Sequence, residues 1–424
     1  MFSRHKISEK IRKIRVGESR TLISNFLSLS LLQIAGYIFP LLTVPYLANV
    51  IGVNRYGEIA FAMAIMVYFQ TLVDYGFVFS AVRDIARNRD NMNKVTEIYS
   101  KVMWARLFLV LLAFILLLSL IILVPKFMEL KWVLLASFLM VIGHAMFPDW
   151  MFQALERMKY VTIFNVFVKI IFTVAVFIFI KNEDDYLLQP IFTSLGYIIS
   201  GIGAMILIRK WGIELNRPNL RVVFGGLKEN FDLFINQLVP NLYNSASVLL
   251  LGFFHGNAAN GIFDAANKFN LAGASLFSII SRTFYPFLSR RIDKHAYFRR
   301  INILCAIVVS LSLFILAPFI IHSFFPSDFD EAITTLRIVS ISLIFLALNN
   351  VYGTNYLILK GKERRVRQIT LYSSVIGLLT GIPAVYYLSY FGVAVTILVS
   401  RALMGIWCMI DAKNLEHSII STNK

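Results

Sequence analysis

Eight ionisable residues interrupt otherwise apolar stretches of this chain: Asp74, Asp149, Lys169, Asp264, Lys268, Arg282, Arg337 and Arg401. A charge at the centre of a membrane helix costs about 2.5–3.5 kcal/mol on insertion scales, so each needs a partner, a water-filled cavity or an interface within reach. Lys169 and Arg401 lie about two to three turns from either end of their stretches, too deep to snorkel, and read as cavity residues. Lys268 has Asp264 one helical turn before it, so an ion pair within the helix competes with contact to a ligand. Arg337 lies near enough to its helix end to snorkel. Asp74 and Arg282 suit either an internal salt bridge or a ligand, and Asp149, between Pro148 and Trp150, is near an interface where water reaches it. The candidate substrate-binding set is Lys169, Lys268, Arg282, Arg337 and Arg401, and the candidate ion-coupling or salt-bridge set is Asp74, Asp149 and Asp264.

Ammonium and guanidinium groups in a low-dielectric cavity suit an anion such as a diphosphate, with Arg offering bidentate contacts and Lys a point charge. Polar residues on the same stretches include Gln33, Asn165, Asn236, Gln237, Asn241, Asn244, Asn267, Asn270, Asn349, Asn350 and Asn355. They could bind sugar hydroxyls or hydrogen-bond between helices. Pro40, Pro45 and Pro240 free backbone carbonyls and can bend the helices that hold them.

These residues must be positioned within a membrane. The 424 residues are 58% hydrophobic and 15% charged, with a mean hydropathy of +0.70, whereas about a quarter of a soluble domain is charged. The apolar residues fall into about a dozen stretches of roughly 20, the length that spans a bilayer. Of the 41 basic residues, about 32 lie in alternate gaps and at the two ends, while the other gaps hold only Arg55, Lys126, Lys131 and Lys181. Both termini are therefore expected in the cytoplasm. The net charge of +17 is accounted for by lipid-facing helix ends, and no basic run interleaved with aromatics points to nucleic acid.

The expected fold is an all-α polytopic membrane protein of about twelve transmembrane helices, in two parallel six-helix lobes around a central cavity. The lobes are read as residues 1–210 and 231–424, joined by a cytoplasmic linker over 211–230 with Pro218 and the Gly225–Gly226 pair. An internal repeat supports this division. Gly52 to Gly57 (G-V-N-R-Y-G) has a counterpart in Gly256 to Gly261 (G-N-A-A-N-G), and A-L-E-R-M-K-Y ending at Tyr160 aligns with L-K-G-K-E-R-R ending at Arg365. The displacement is about 204 residues in both cases, and an even number of spans per copy makes the copies parallel. At that displacement Asp264 and Lys268 face Ala60 and Ala64, and Lys169 faces Ser374. Packing common to both copies cannot require charges that only one copy has.

Several chemistries lack their signatures. There is no G-x-x-x-x-G-K-[ST] loop for nucleotide hydrolysis. His144, His255, His295 and His322 have no metal-ligand spacing, and Cys305 and Cys408 lie within apolar stretches, so neither a metal nor a disulfide framework is expected. The outer gaps are short, and the acids Glu183, Asp184 and Asp185 read as a solvated turn rather than a catalytic group. An enzyme and a cofactor are therefore not expected.

The opening segments N-F-L-S-L-S-L-L-Q and F-P-L-L-T-V-P-Y-L-A-N-V-I-G-V-N-R-Y-G, followed by Y-G-F-V-F-S-A-V-R-D-I-A-R over Tyr75 to Arg87, resemble those of bacterial polysaccharide transporters. These are the O-antigen type repeat-unit flippases of the multidrug/oligosaccharidyl-lipid/polysaccharide (MOP) exporter superfamily. The resemblance implies two lobes forming a V in the bacterial inner membrane that open alternately to either side. It implies as substrate an undecaprenyl pyrophosphate-linked oligosaccharide, moved from the inner to the outer leaflet for O-antigen or other surface polysaccharide synthesis. It also implies coupling to a proton or sodium gradient and contact with membrane lipids and the polysaccharide polymerase machinery. Two alternatives are a drug or cation exporter of the same superfamily, which the positive interior disfavours, and a membrane-bound glycan polymerase or transferase.

Overall fold

The computed structural model describes the backbone of residues 2–217, 220–238 and 241–422. Side chains are described from Leu31 onward, except at Gln33, Tyr37, Leu220, Asn236, 241–244, Arg282, Thr283, Pro286, Arg290 and 417–422. Pro240 lies outside the described residues, as do the side chains of Gln33, Asn236, Asn241, Asn244 and Arg282.

In chain order the helices are α1 (Phe2–Asp74), α2 (Phe77–Arg87), α3 (Met92–Leu123), α4 (Pro125–Glu129), α5 (Lys131–Met146), α6 (Asp149–Ala154) and α7 (Met158–Phe179). They continue as α8 (Leu188–Lys210), α9 (Leu220–Leu238), α10 (Asn241–Arg290), α11 (His295–Phe324), α12 (Ala332–Leu348) and α13 (Glu363–Thr422), with a π-helical turn over Asn349–Leu357 after α12. No strand occurs among the described residues. Nine of the described runs are long and apolar enough to cross a membrane. Three of these contain a residue that cannot continue a helix: Gly52 (φ 73°), Gly256 (φ 84°) and Ser389 (φ 54°). At each the chain changes direction, so α1, α10 and α13 each supply two arms and the spans number twelve, six to a lobe.

Local sequence explains the other breaks. Asn91 caps α3 by accepting the Lys94 amide at 3.1 Å. Pro148 separates α5 from α6, because the residue before a proline is driven out of the helical region, and Phe147 is extended. Bulky apolar side chains such as Leu111, Ile115, Ile122 and Phe319 are exposed on the outer surface, as expected of a wall that faces hydrocarbon. Inside, polar groups join helices: Ser194 donates to the Ala136 carbonyl at 2.9 Å, and the buried Asn355 amide donates to Ser281 at 2.5 Å.

The lobes meet mainly at one end, where α1 and α10 turn at Gly52 and Gly256. The two glycines share a positive φ and an extended ψ (169° and −172°), so the repeat seen in sequence is also a repeat of backbone conformation. Five residues beyond each, Gly57 and Gly261 press backbone to backbone: a Cβ on Gly57 would lie 1.7 Å from the Asn257 carbonyl oxygen, and one on Gly261 would lie 2.6 Å from that of Val53. Only a residue without a side chain permits this approach. Around it, Asn49 donates to the Phe324 carbonyl at 3.0 Å, and Phe61 meets Phe253 with ring centroids 5.6 Å apart. One apolar core runs across the lobes here, from Ile51 and Phe61 to Phe263 and Phe329. At the opposite end the core of the second lobe, around Phe298, Tyr356 and Met404, is separate. There α9, which begins in the stretch read from sequence as the linker and runs on into the one read as the second lobe, leans on the first lobe, with Phe234 stacked on Tyr75 at 4.7 Å.

Candidate functional site

Beneath the Gly57–Gly261 contact lies a cavity of about 330 Å³. Its wall is made of helix faces that the sequence spaces at three and four residues. Gly36, Pro40, Thr43 and Leu47 come from the first arm of α1, and Asn165, Lys169 and Thr173 from α7. Gln189, Thr193 and Tyr197 come from α8, and Tyr56, Ile59 and Met63 from the second arm of α1. The second lobe contributes Asp264 and Lys268 from the second arm of α10.

The charged groups of this wall are arranged unequally. Lys268 pairs with Asp264 at 3.2 Å within its own helix, one helical turn apart. Asp264 also accepts a hydrogen bond from the Tyr56 hydroxyl of the other lobe. Lys169 reaches across from α7 toward α1, where a Cβ on Gly36 would be 3.6 Å from its ammonium nitrogen. Among the described residues Lys169 has neither an ion-pair nor a hydrogen-bond partner. With one carboxylate for two ammonium groups among the described residues, the cavity wall has a formal excess of one positive charge. In a mostly apolar chamber that charge is weakly screened, and an anion is the partner that would neutralise it. The Thr and Asn groups are partly engaged locally, Thr43 with the Phe39 carbonyl at 3.0 Å and Asn165 with that of Val161 at 2.9 Å, and each retains acceptor capacity toward the chamber.

The remaining residues singled out in the sequence lie elsewhere. Arg401 is 7% exposed and donates to the Ser342 hydroxyl at 2.9 Å inside the second lobe. Arg337 donates to the Phe314 carbonyl at 3.3 Å, with its guanidinium 5.5 Å from the centre of that ring. Asp149 accepts the Trp150 amide at 2.9 Å at the start of α6. Asp74 forms a buried cluster in the first lobe: it pairs with Arg106 and lies 3.0 Å from His144 Nε2. The backbone of Arg282 belongs to α10, but its side chain lies outside the described residues.

Two participants escaped sequence reasoning. Arg106, one of the basic residues counted in the alternate gaps, is 0% exposed and is also held by the Ala145 and Phe147 carbonyls at 3.3 and 3.4 Å. Tyr56 was passed over as a motif residue between Arg55 and Gly57, although a lone hydroxyl at a lobe junction is the kind of group that needs a partner across it.

Comparison with known proteins agrees with this architecture. The sequence pattern described as "Polysaccharide biosynthesis protein" matches residues 22–291. A protein named as an O-antigen transporter in Escherichia coli (strain K12) is 26% identical over 402 residues, covering 92% of this chain and 96% of the relative. Its namesake in Shigella dysenteriae is 25% identical over 397 residues, covering 91% and 98%. Among solved structures, the lipid II flippase MurJ in an inward closed conformation superposes with a TM-score of 0.76 at 15% identity, covering 92% of this chain and 87% of MurJ. An inward-facing MATE-family multidrug resistance transporter of the MOP superfamily superposes at 0.64 with 14% identity, covering 92% and 99%. At such identities the structural likeness establishes the fold alone. With the family pattern covering more than half of its length, this multi-pass membrane protein belongs to the polysaccharide biosynthesis protein family and has the two-lobed fold of the MOP exporters.

Proposed function

We propose that this protein is a flippase that moves an undecaprenyl pyrophosphate-linked oligosaccharide repeat unit from the cytoplasmic to the outer leaflet of the bacterial inner membrane, by ion-coupled alternating access. The observation that carries the reading is the positively charged cavity between the lobes, with Lys169 lacking a partner among the described residues and Lys268 facing in from the second lobe. A diphosphate supplies the missing negative charge, and the Asn, Gln and Thr groups of α7 and α8 suit sugar hydroxyls. The prenyl chain stays among the lipids. The distribution of basic gaps turns the Gly52–Gly256 end outward, so the lobes are joined on the outer side, the geometry of a carrier waiting for substrate from the cytoplasm. The names of the Escherichia coli and Shigella relatives support glycan transport. Export of a cationic drug fits less well, because two ammonium groups against one carboxylate repel a cation. Asp264 and the Asp74 cluster are the carboxylates available to a coupling proton or sodium ion.

The test is deletion of the gene in its native host. Lipid-linked repeat units should accumulate on the cytoplasmic side, and the wild-type gene should clear them, whereas Lys169→Ala should not, at normal protein abundance. Outward delivery of single, unpolymerised units in the deletion strain would identify a polymerase instead. Dye export with unchanged glycans would identify a drug exporter.

A further inference from the structure

The contact between the lobes has a symmetric part and an asymmetric part. Gly57 and Gly261 are repeat-related and press on each other's arms in the same manner. The chain Tyr56–Asp264–Lys268 occurs once: the repeat partners of Asp264 and Lys268 are Ala60 and Ala64, and that of Tyr56 is Asn260. A seal alone would not need this chain. Its middle member faces two ways, because the Asp264 carboxylate accepts from Tyr56 across the junction and holds Lys268, a cavity-lining cation, at 3.2 Å.

We infer that Lys268 is shared between substrate and seal: an anion entering the cavity draws the ammonium away from Asp264, and the carboxylate left behind releases the contact between the lobes. This rests on the reading of the cavity as a diphosphate site. The physical reason is differential stabilisation. With Lys268 in place, Asp264, whose side chain is 20% exposed, is neutralised and the closed junction tolerates it. Without that cation, a largely buried carboxylate keeps, among the described residues, a neutral hydroxyl as its donor, and this uncompensated charge is relieved when the lobes part and water reaches it. A ligand shifts a conformational equilibrium only through interactions that differ between the two states. The exchange of Lys268 from Asp264 to phosphate is such an interaction, and it ties opening to occupancy. Tyr56 and Asp264 are thus positioning residues for transport, acting through Lys268 rather than on the substrate.

The test places spin labels on cysteines introduced at Asp184 and Asp328, exposed positions in loops of the two lobes at this end. The full chain is used, in lipid nanodiscs and in a background without Cys305 and Cys408 that still exports glycan. The probe is a long-chain polyprenyl diphosphate, with the polyprenyl alcohol as control. The wild-type protein should move to longer label distances with the diphosphate and stay put with the alcohol. Asp264→Asn keeps the acceptor for Tyr56 but has no charge to strand; it should bind the diphosphate within about threefold of wild type and show no change in distance. Lys268→Met should show the longer distances without ligand. If the diphosphate binds and Asp264→Asn responds as wild type does, or if Lys268→Met stays closed, the inference is wrong. Failure of the wild-type protein to bind the diphosphate would instead overturn the reading of the cavity itself.

Discussion

Replacing Gly57 with alanine tests the junction of the lobes with a single methyl group. The new Cβ would sit 1.7 Å from the Asn257 carbonyl oxygen, where ordinary contact begins at 3.4 Å. That oxygen belongs to backbone, within the second arm of α10, so no rotamer change clears the way and the arms must part by about 1.7 Å, the difference of the two distances. Overpacking of this kind costs about 1–3 kcal/mol. A shift of this size also stretches the Tyr56–Asp264 hydrogen bond, and bonds to charged groups contribute about 1.5–3 kcal/mol. Together they weaken the joined arrangement by about 2.5–6 kcal/mol, or roughly two to four powers of ten in population. The assay is the rate at which a membrane-impermeant maleimide, added outside, labels a cysteine placed at Thr193 in the cavity wall. Gly57→Ala should label at least tenfold faster, at normal abundance. Gly261→Ala, whose Cβ would be 2.6 Å from the Val53 oxygen and needs about half the displacement, should show a smaller effect. Gly225→Ala, with nothing within 4 Å of its Cβ, should show none. Equal labelling in Gly57→Ala and wild type, or a larger effect at Gly261, would refute the reasoning.

Three further outcomes are expected. Arg106→Met deprives the buried Asp74 carboxylate of its guanidinium partner. Breaking such a pair costs about 3–5 kcal/mol, so the melting temperature in detergent should fall sharply and the double variant Asp74→Leu/Arg106→Leu should recover much of it; an unchanged single variant would sink this account. Lys169→Met should weaken polyprenyl diphosphate binding about tenfold or more, through loss of a charged hydrogen bond of about 1.5–3 kcal/mol. Arg401→Met, bonded to Ser342, should alter stability and leave binding alone, and equal losses of binding in both would contradict the separation of the two cations. Ser389→Gly should stabilise the protein by about 1 kcal/mol, since Ser389 occupies a region (φ 54°, ψ −133°) that a side chain strains; a lower melting temperature would show that the hydroxyl does more than the strain costs.

The sequence revealed much of this architecture because bilayer thickness and backbone sterics act locally. Span number follows from the apolar runs, and the turns at Gly52 and Gly256 are visible because only glycine is comfortable there. The i, i+4 spacing of Asp264 and Lys268 made an ion pair one of two readings, and the pair is present. What stayed hidden depends on which faces meet. Depth in a helix suggested that Arg401 and Lys169 were alike, but depth does not say what a neighbouring helix offers: Ser342 stands opposite Arg401, and a cavity opposite Lys169. Arg106 drew no attention because it stands at the start of the apolar run, where a basic residue suits a membrane-facing helix end, whereas α3 begins at Met92, well before its apolar core, and buries it. His144 seemed isolated because its partner Asp74 is 70 residues away in sequence. The Tyr56–Asp264 contact joins positions 208 residues apart, and no local pattern encodes it.

The most direct measurement is translocation in proteoliposomes that contain only this protein and a fluorescent polyprenyl diphosphate-linked oligosaccharide. Wild-type protein should carry the label between leaflets, Lys169→Met and Lys268→Met should each abolish movement, and the same oligosaccharide on an uncharged prenyl ether should not cross. Movement of the uncharged lipid at the wild-type rate, or undiminished movement of the diphosphate in both lysine variants, would contradict a cationic chamber built to receive a diphosphate.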